Sequence, residues 1–179
     1  MRIISGIRRG HKLISFEGDN IRPTTDRVKE SLFNLIQGYT EDASVLDLFA
    51  GSGALGFEAM SRGARCVTFV DVSKASVEVV SKNAASLNFG DGVKILNMPY
   101  GDFFRNSKDS FDLIFLDPPY NKGFIEPVLV DIVENNRLSE KGIIVLESDD
   151  TDMHSEIDGL SVLKQKKYGR TYITVYQRG

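Results

Sequence analysis

From residue 44 onward, strand-like and helix-like segments alternate along the chain, and this order constrains the fold more than any other feature. The predicted strands are short apolar runs at residues 44–50, 65–71, 92–97, 111–117 and 142–148. The predicted helices lie at residues 53–63, 73–88 and 123–135. Strands that alternate with helices are typical of an α/β fold, in which crossover helices cover both faces of a mostly parallel sheet.

The two ends of the chain break this alternation. Residues 160–177 have the pattern of a β-hairpin that turns at Gly169, and the first 16 residues have that of a shorter hairpin. An amphipathic helix is predicted at residues 24–37. We therefore predict a mostly parallel seven-stranded sheet that ends in an antiparallel hairpin. The predicted domains are an N-terminal extension of a hairpin and a helix, residues 1–43, and a main domain, residues 44–179.

The composition excludes several classes of protein. Hydrophobic residues make up 41% of the chain and charged residues 26%, as in folded globular domains. No apolar run approaches the roughly 18 residues of a membrane helix, and the N-terminus lacks the apolar core of a secretory signal. Cys66 is the only cysteine, which excludes an internal disulfide and fits a reducing cytoplasm. His11 and His154 show no metal-ligand spacing, so we expect no metal ion. We also expect a cytoplasmic protein with no membrane partner.

Basic residues are concentrated at the two ends of the chain. Residues 1–14 contain four basic side chains and residues 160–179 contain five, with no acid in either segment. The residues between them carry 13 basic and 25 acidic side chains. Two basic ends on an acidic body suggest that one face contacts a polyanion, although a merely solvated surface is the alternative. The candidate phosphate contacts are Arg8, Arg9, Lys12, Lys166, Lys167 and Arg170.

A glycine-rich loop, "LDLFAGSGALG", follows the first strand of the main domain. Its spacing Gly51-x-Gly53-x-x-Gly56 matches the fingerprint of dinucleotide-binding folds. Asp71 lies 20 residues beyond Gly51, at the end of the next strand, where an acid can hold both ribose hydroxyls. A nicotinamide-dependent oxidoreductase is therefore one hypothesis.

Asp47 favours a different cofactor. A carboxylate four residues ahead of Gly51 would repel a pyrophosphate, whereas it suits a ligand that carries an ammonium group. S-adenosylmethionine has an ammonium group, a ribose diol and an adenine, and we favour it over NAD. Asp102 could accept a hydrogen bond from the adenine amino group while Phe103 packs on the ring. An ordinary helix cap at Asp102 is the alternative.

A rigid turn, "DPPY", follows the strand at 111–117. Each proline fixes its own φ and restricts the residue before it, so Asp117 and Pro118 have little freedom. Such a turn could hold an exocyclic amine of a nucleobase for methylation. Asp117 and the Pro118 carbonyl would each accept one N–H, which frees the nitrogen lone pair, while Tyr120 stacks on the flipped base. In a parallel sheet, this turn would lie beside the glycine-rich loop.

These motifs together resemble a known family. "LDPPY" with "DLFAGSGALG" is similar to the amino-methyltransferase branch of the class I methyltransferases, which have a Rossmann-like fold. "RPTTDRVKESLFNLI", preceded by "MRIISGIRRGHKL", narrows the resemblance to the RsmD family of bacterial 16S rRNA guanine-N2 methyltransferases. The resemblance covers essentially the whole chain. It implies methyl transfer from S-adenosylmethionine to the exocyclic N2 of one guanine in the small ribosomal subunit.

The resemblance also implies roles for individual residues. The catalytic turn would consist of Asp117, Pro118, Pro119 and Tyr120. The cofactor site would contain Arg22, Pro23, Thr24, Asp47, Phe49, Gly51, Ser52, Gly53, Asp71, Val72, Asp102 and Phe103. The first three of these belong to the N-terminal segment, which would close over the methionine end of the cofactor.

Other functions remain open from the sequence. A DNA adenine-N6 methyltransferase uses the same catalytic turn, but the chain has no insertion large enough for a sequence-reading domain. A protein or small-molecule amine methyltransferase would leave the basic ends unexplained, and a non-enzymatic binding module would not need the catalytic residues. We expect a monomer that acts on 16S rRNA or on the small subunit. An acidic pI of about 5.5 is unusual for such an enzyme and predicts weak affinity for bare RNA.

Overall fold

The computed structural model describes residues 1–16, 26–119, 123–149 and 157–179. Its strands are β1 (Ser44–Leu48), β2 (Cys66–Asp71), β3 (Val93–Asn97), β4 (Phe111–Leu116), β5 (Leu138–Ser148), β6 (Leu160–Tyr168) and β7 (Thr171–Arg178). Its α-helices are α1 (Asp26–Leu35), α2 (Ala54–Ser61), α3 (Lys74–Leu87), α4 (Tyr100–Asn106) and α5 (Ile125–Glu134). A short 3₁₀ helix spans Gly90–Gly92.

All seven strands belong to one sheet, in the order β3-β2-β1-β4-β5-β7-β6. Strands β1 to β5 run parallel to one another, whereas β7 pairs antiparallel with both β5 and β6. This arrangement confirms the predicted fold class, including the C-terminal hairpin and the contact between β4 and β1. The strand order reverses between β1 and β4, and in open α/β sheets ligands bind at the carboxyl ends of the strands near such a point.

Each face of the sheet supports its own apolar core. One core joins the sheet to α1, α2 and α3, with Leu32, Phe57 and Val80 among its buried side chains. The other core joins the sheet to α4 and α5, with Phe104 and Leu129 among its buried side chains. Helices therefore cover both faces, as parallel strands require. None of the helices in the described part of the chain is long and apolar enough to cross a membrane.

Most elements agree with the prediction to within about two residues, and two differ more. The α4 helix was not predicted, and β5 begins at Leu138, four residues before the predicted start. The first residues form a short antiparallel pairing, with Arg2 opposite Lys12 and the Ile3 N–H donating to the His11 carbonyl at 2.9 Å. This pairing confirms the N-terminal hairpin. The division of the chain at residue 43 stays a prediction.

The N-terminal extension packs on α2 through one buried carboxylate. Glu58 accepts hydrogen bonds from the backbone N–H groups of Ile4 (2.8 Å) and Ser5 (3.0 Å). Lys29 of α1 lies 3.2 Å from the same carboxylate, and both side chains are fully buried. Arg62 adds a bond of 2.8 Å. Because four donors converge on Glu58, the extension has a fixed position over the main domain.

Candidate cofactor and substrate site

The glycine-rich loop between β1 and α2 has the backbone of a ligand-binding turn. Gly51 and Gly53 both have left-handed backbone angles, with φ of 56° and 79°. A β-carbon on Gly53 would lie 2.7 Å from the ring of Phe57, so a side chain does not fit there. A β-carbon on Gly51 would meet no atom within 4 Å. The space in front of Gly51 is therefore open to a ligand.

Phe49 lies just before this loop and has a φ of 66°, which is unusual for a bulky residue. Its ring lies 5.8 Å from that of Tyr100 and 5.9 Å from that of Phe124, measured between centroids. Strained backbone angles persist where the surrounding structure requires them, and they are concentrated at binding sites. The strain at Phe49 therefore marks the edge of the sheet beside the loop as a candidate site.

A cavity of about 180 Å³ opens at this edge of the sheet. Its walls are the residues Leu48, Phe49, Val70, Asp71, Val72, Met98, Pro99, Tyr100 and Phe124. Most of these side chains are apolar, and three are aromatic, which suits the flat faces of an adenine ring. One carboxylate, that of Asp71, stands among them. The residues present fit the adenosine part of S-adenosylmethionine.

Asp71 lies at the end of β2, where the sequence predicts a ribose contact. One oxygen of its carboxylate accepts the Gly51 N–H at 2.9 Å, and the other accepts the Ser73 N–H at 2.8 Å. Each carboxylate oxygen can accept a further hydrogen bond. Asp71 can therefore hold the glycine-rich loop and two ribose hydroxyls together. Val72, the next residue, is 69% exposed and lines the cavity beside it.

Asp47 occupies a different environment from the one that the sequence suggests. It lies within β1 beneath the loop, with only 3% of its surface exposed, and accepts the Gly56 N–H at 2.9 Å. Burial raises its pKa to about 7, although the bond from Gly56 opposes that shift. Asp47 does not line the cavity beside Phe49. Its direct contact with an ammonium group stays a prediction.

Asp102 and Phe103 do not line the cavity either. Phe103 is 1% exposed and packs in the core beneath α4, with its ring 5.6 Å from that of Phe104. Asp102 lies in the first turn of the helix and forms an ion pair with Arg105. Helix α4 turns the Phe103 side chain into the core, and a contact of Phe103 with the cofactor stays a prediction. The aromatic residue of α4 that lines the cavity is Tyr100.

Ser52 connects the loop to the N-terminal extension. Its carbonyl accepts a hydrogen bond of 3.0 Å from Asn83 of α3. The same amide nitrogen donates to the carbonyl of Ile14, and the amide oxygen accepts the Ile14 N–H. Asn83 is fully buried. It thus fixes the loop and the chain before residue 17 relative to each other.

Asp117 follows β4 at the carboxyl edge of the sheet. Leu116 of β4 lies opposite Leu146 of β5, so Asp117 and Glu147 come next at the same level of two neighbouring strands. Side chains alternate between the faces of a sheet, so two residues at one level of a parallel pair point to the same face. The carboxyl groups of Asp117 and Glu147 therefore lie side by side.

Asp47 belongs to the same group of acids. It lies opposite Phe115 in the pairing of β1 with β4, two residues before Asp117 and hence on the same face. Glu147 is 5% exposed. Burial, followed by the charges of Glu147 and Asp47, raises the pKa of Asp117 well above that of a free aspartate. Three acids in one place, with a strongly shifted pKa, are typical of a functional site.

The prolines after Asp117 differ in their surroundings. Pro118 is buried and Pro119 is exposed. Tyr120 and the N-terminal residues Arg22, Pro23 and Thr24 lie outside the described residues. Their roles in base stacking and in cofactor closure stay predictions.

The residues predicted to contact RNA have different environments in the structure. The Arg8 guanidinium donates to the carbonyls of Leu87 (2.7 Å) and Asn88 (3.2 Å), at the C-terminus of α3. Arg8 thus caps a helix, which disfavours it as a phosphate ligand. Lys167 lies 5.0 Å from the ring centroid of Tyr172. Lys167 is exposed, as are the other four residues: Arg9, Lys12, Lys166 and Arg170.

Several site residues have no signal in the sequence. Glu147 ends an ordinary apolar strand, and only the pairing of β4 with β5 brings it to Asp117. Tyr100 begins α4 and Phe124 directly precedes α5, and their ring centroids lie 6.2 Å apart across the cavity. Asn83 lies in an amphipathic helix where an amide is unremarkable. A buried amide within an apolar stripe is the only hint that the sequence offers.

Comparison with known proteins places this chain in a family. The model of the family described as "Conserved hypothetical protein 95" matches residues 1–177. "Ribosomal RNA small subunit methyltransferase D" of Haemophilus influenzae is 36% identical over 180 residues, which cover 99% of this chain and 93% of that protein. The Escherichia coli K12 protein of the same name is 35% identical over 179 residues, with 99% and 90% covered.

A solved structure agrees with these relatives. A methyltransferase structure from Escherichia coli superposes with a TM-score of 0.88 at 34% identity, covering 99% of this chain and 97% of that one. The agreement in fold extends over the N-terminal extension as well as the sheet. The chain belongs to this family, the RsmD family of class I S-adenosylmethionine-dependent methyltransferases.

Proposed function

We propose that this protein methylates the exocyclic N2 of a guanine in the RNA of the small ribosomal subunit. The observation that carries the proposal is the position of Asp117, at the carboxyl end of the strand beside the glycine-rich loop and immediately before two prolines. The names of the relatives support a ribosomal RNA substrate. In this proposal the protein is a cytoplasmic monomer, as the sequence predicts.

Methyl transfer requires that a poor nucleophile, the exocyclic amine, be held in line with the bond between the methyl carbon and sulfur. The exocyclic amine of a nucleobase shares its lone pair with the ring. When Asp117 accepts one N–H and the Pro118 carbonyl accepts the other, the nitrogen becomes tetrahedral and its lone pair turns away from both acceptors. The cofactor supplies a methyl carbon bound to a positively charged sulfur. The rigid prolines matter because in-line displacement tolerates little misalignment.

The neighbouring acid supports guanine over adenine as the target. The pairing edge of guanine presents two adjacent donors, N1–H and the N2 amine. Adenine presents one donor, its N6 amine, beside an acceptor, N1. Asp117 and Glu147 are two acceptors side by side, so guanine can satisfy both of them. An adenine N1 would meet the carboxylate of Glu147 with no hydrogen to share, which is costly in a buried site.

Labelled methyl transfer tests the proposal directly. The protein would be incubated with methyl-labelled cofactor and with small subunits, protein-free 16S rRNA or duplex DNA, and the products digested to nucleosides. We expect N2-methylguanosine from one of the two ribosomal substrates. Label in N6-methyladenosine or in protein would contradict the proposal.

A base analogue tests the role of Glu147 in choosing guanine. The base 2-aminopurine keeps the N2 amine but has an acceptor at N1. We expect the native protein to methylate an RNA with 2-aminopurine at the target position at least tenfold more slowly than one with guanine. Glu147→Gln should lower the ratio of the guanine rate to the 2-aminopurine rate, because the amide can donate to N1. Equal ratios for the two proteins would remove Glu147 from base selection.

A further inference from the structure

We propose that the exposed side of α1 carries a groove that binds the phosphate backbone of the RNA, apart from the site that holds the target base. This inference rests on the proposed function, because it assumes a ribosomal RNA substrate. Two adjoining clefts form the groove, one on either side of Asn34, which lines both of them. We call the whole feature the α1 groove.

The first part is an arginine cleft of about 570 Å³ between the N-terminal hairpin and α1. Four arginines contribute to its walls, namely Arg2, Arg9, Arg27 and Arg62. Two acids, Asp26 and Glu30, lie among them. The arginines come from three separate parts of the chain and meet only in the folded protein. This convergence cannot be explained as a run of like charges on one solvated helix.

The arginines are available to a ligand to different degrees. Arg9 and Arg27 are exposed, and neither side chain has a hydrogen bond or ion pair with any residue that the structure describes. Arg62 bonds to Glu58 through Nε, and its guanidinium carbon lies 4.6 Å from the ring centroid of Phe33. That contact fixes the plane of the guanidinium, while the bond to Glu58 leaves the two Nη groups for another acceptor. A guanidinium held in this way is suited to bidentate binding of a phosphate.

The second part is a lysine cleft of about 580 Å³ between α1 and β6. Lys164, Lys166 and Tyr168 line it from the strand, and Ser31 and Leu35 line it from the helix. Lys164 donates to the Leu35 carbonyl at 2.9 Å, which closes the C-terminus of α1 and joins the helix to the sheet. Lys166 is exposed beside it. The basic residues at the two ends of the sequence thus meet on one helix.

The balance of charge selects the kind of partner. Six basic and only two acidic side chains line the α1 groove, on a protein whose formal net charge is −3. A positive track on an acidic protein directs a polyanion to one place and keeps it from the rest of the surface. Among the lining residues, Tyr168 has the only aromatic ring, so the groove is suited to phosphates rather than to stacked bases.

A charge-neutral double variant tests the groove. Arg9→Gln with Arg27→Gln removes two exposed charges from the arginine cleft. Arg65→Gln with Lys141→Gln is the matched control, because both residues are exposed and neither of them lines the α1 groove. Binding of protein-free 16S rRNA would be measured from 50 to 300 mM salt. The magnitude of the log–log slope should fall by about 0.7 to 0.9 per lost contact in the first variant and stay unchanged in the control.

Each outcome decides between the explanations. Cofactor binding, measured by calorimetry, should be the same in all three proteins, which shows that the variants are folded. Equal slopes for the double variant and the control, on an RNA that the native protein binds, would overturn the groove alone. A loss seen only with assembled subunits would indicate a ribosomal protein as the partner and would also overturn it. If the native protein methylates neither RNA nor subunits, the proposed function fails instead.

Discussion

Acidic side chains lie at two places on the same face of the sheet, and their surroundings are opposite. Glu58, beneath the N-terminal extension, receives bonds from two backbone N–H groups, one lysine and one arginine. Asp117, at the carboxyl edge of the sheet, lies beside the acids Glu147 and Asp47. The charge of Glu58 is balanced by its partners, whereas the acids around Asp117 place like charges together.

The difference separates a structural role from a functional one. A buried carboxylate surrounded by donors holds elements together, and here it joins the N-terminal hairpin, α1 and α2. The pKa of Lys29 is lowered mainly by burial, while the charge of Glu58 opposes that shift. A cluster of acids costs stability through the repulsion of like charges, so it persists where function requires it. Substitutions in the two groups should therefore affect different properties.

The largest effect is expected from Glu58→Ala. Removing one partner of a buried ion pair leaves Lys29 uncompensated, so the free energy of unfolding should fall by about 3–5 kcal/mol. Urea denaturation measures it, with Glu140→Ala on the surface as the control. Replacing the pair together, as Lys29→Met with Glu58→Leu, should recover part of the loss. A loss below about 1 kcal/mol for Glu58→Ala would show that the pair does not hold the extension.

Asp117→Ala should lower the rate of methyl transfer rather than the free energy of unfolding. We expect the single-turnover rate of methyl transfer to fall by about 10²–10³-fold, as when one preorganised hydrogen-bonding group is removed from an active site. Unfolding free energy should stay equal or rise, because an acid with acidic neighbours is lost. Asp117→Asn should keep more activity, since an amide oxygen still accepts the amine N–H. If Asn were as inactive as Ala, Asp117 would act as a general base.

Asp71→Ala should weaken cofactor binding by about 1–3 kcal/mol, the cost of leaving buried polar groups without partners. The variant also loses the bonds that hold Gly51 and Ser73. Calorimetry with S-adenosylmethionine measures the affinity, and Asp91→Ala, an exposed acid near β3, is the control. Unchanged affinity would remove Asp71 from the ribose site, and tight binding of NAD would reassign the cofactor.

The most gradual effect is the pH dependence of stability. The pKa of Asp47 is about 7 in the folded protein and close to 4 in an unfolded chain, so the folded state holds more protons between these values. The contribution of Asp47 to the free energy of unfolding is fully present below about pH 4. It is lost as pH rises toward 7, by at most about 1.4 kcal/mol per pH unit. Asp47→Asn should therefore gain stability relative to the native protein over that range. Parallel curves from pH 5 to 8 would contradict this assignment.

The fold could be predicted because its strands are short apolar runs separated by clear turn signals. The α4 helix could not, since Pro99 and Gly101 interrupt its sequence and no amphipathic period is visible. That helix forms because Phe103 and Phe104 pack into the core below it. Tertiary packing thus outweighs local preference there.

The site could be predicted only where the residue type itself carries the chemistry. Glycines at a strand–helix turn and an acid before two prolines are such cases. Glu147 depends on the pairing of β4 with β5, which a single sequence does not reveal. The basic residues at the two ends of the chain indicated both clefts of the α1 groove. Composition could not distinguish Arg8, which caps α3, from Arg9, which is exposed.

The bond between Lys164 and the Leu35 carbonyl joins residues 129 positions apart. Protein synthesis proceeds from the N-terminus, so α1 is made long before β6 exists. The two walls of the lysine cleft can meet only after the last strands have left the ribosome and paired with β5. A growing chain therefore lacks the lysine cleft, so the α1 groove that we propose for RNA is incomplete until those strands have paired. The order of synthesis thus delays the joining of α1 to the sheet until β6 has folded.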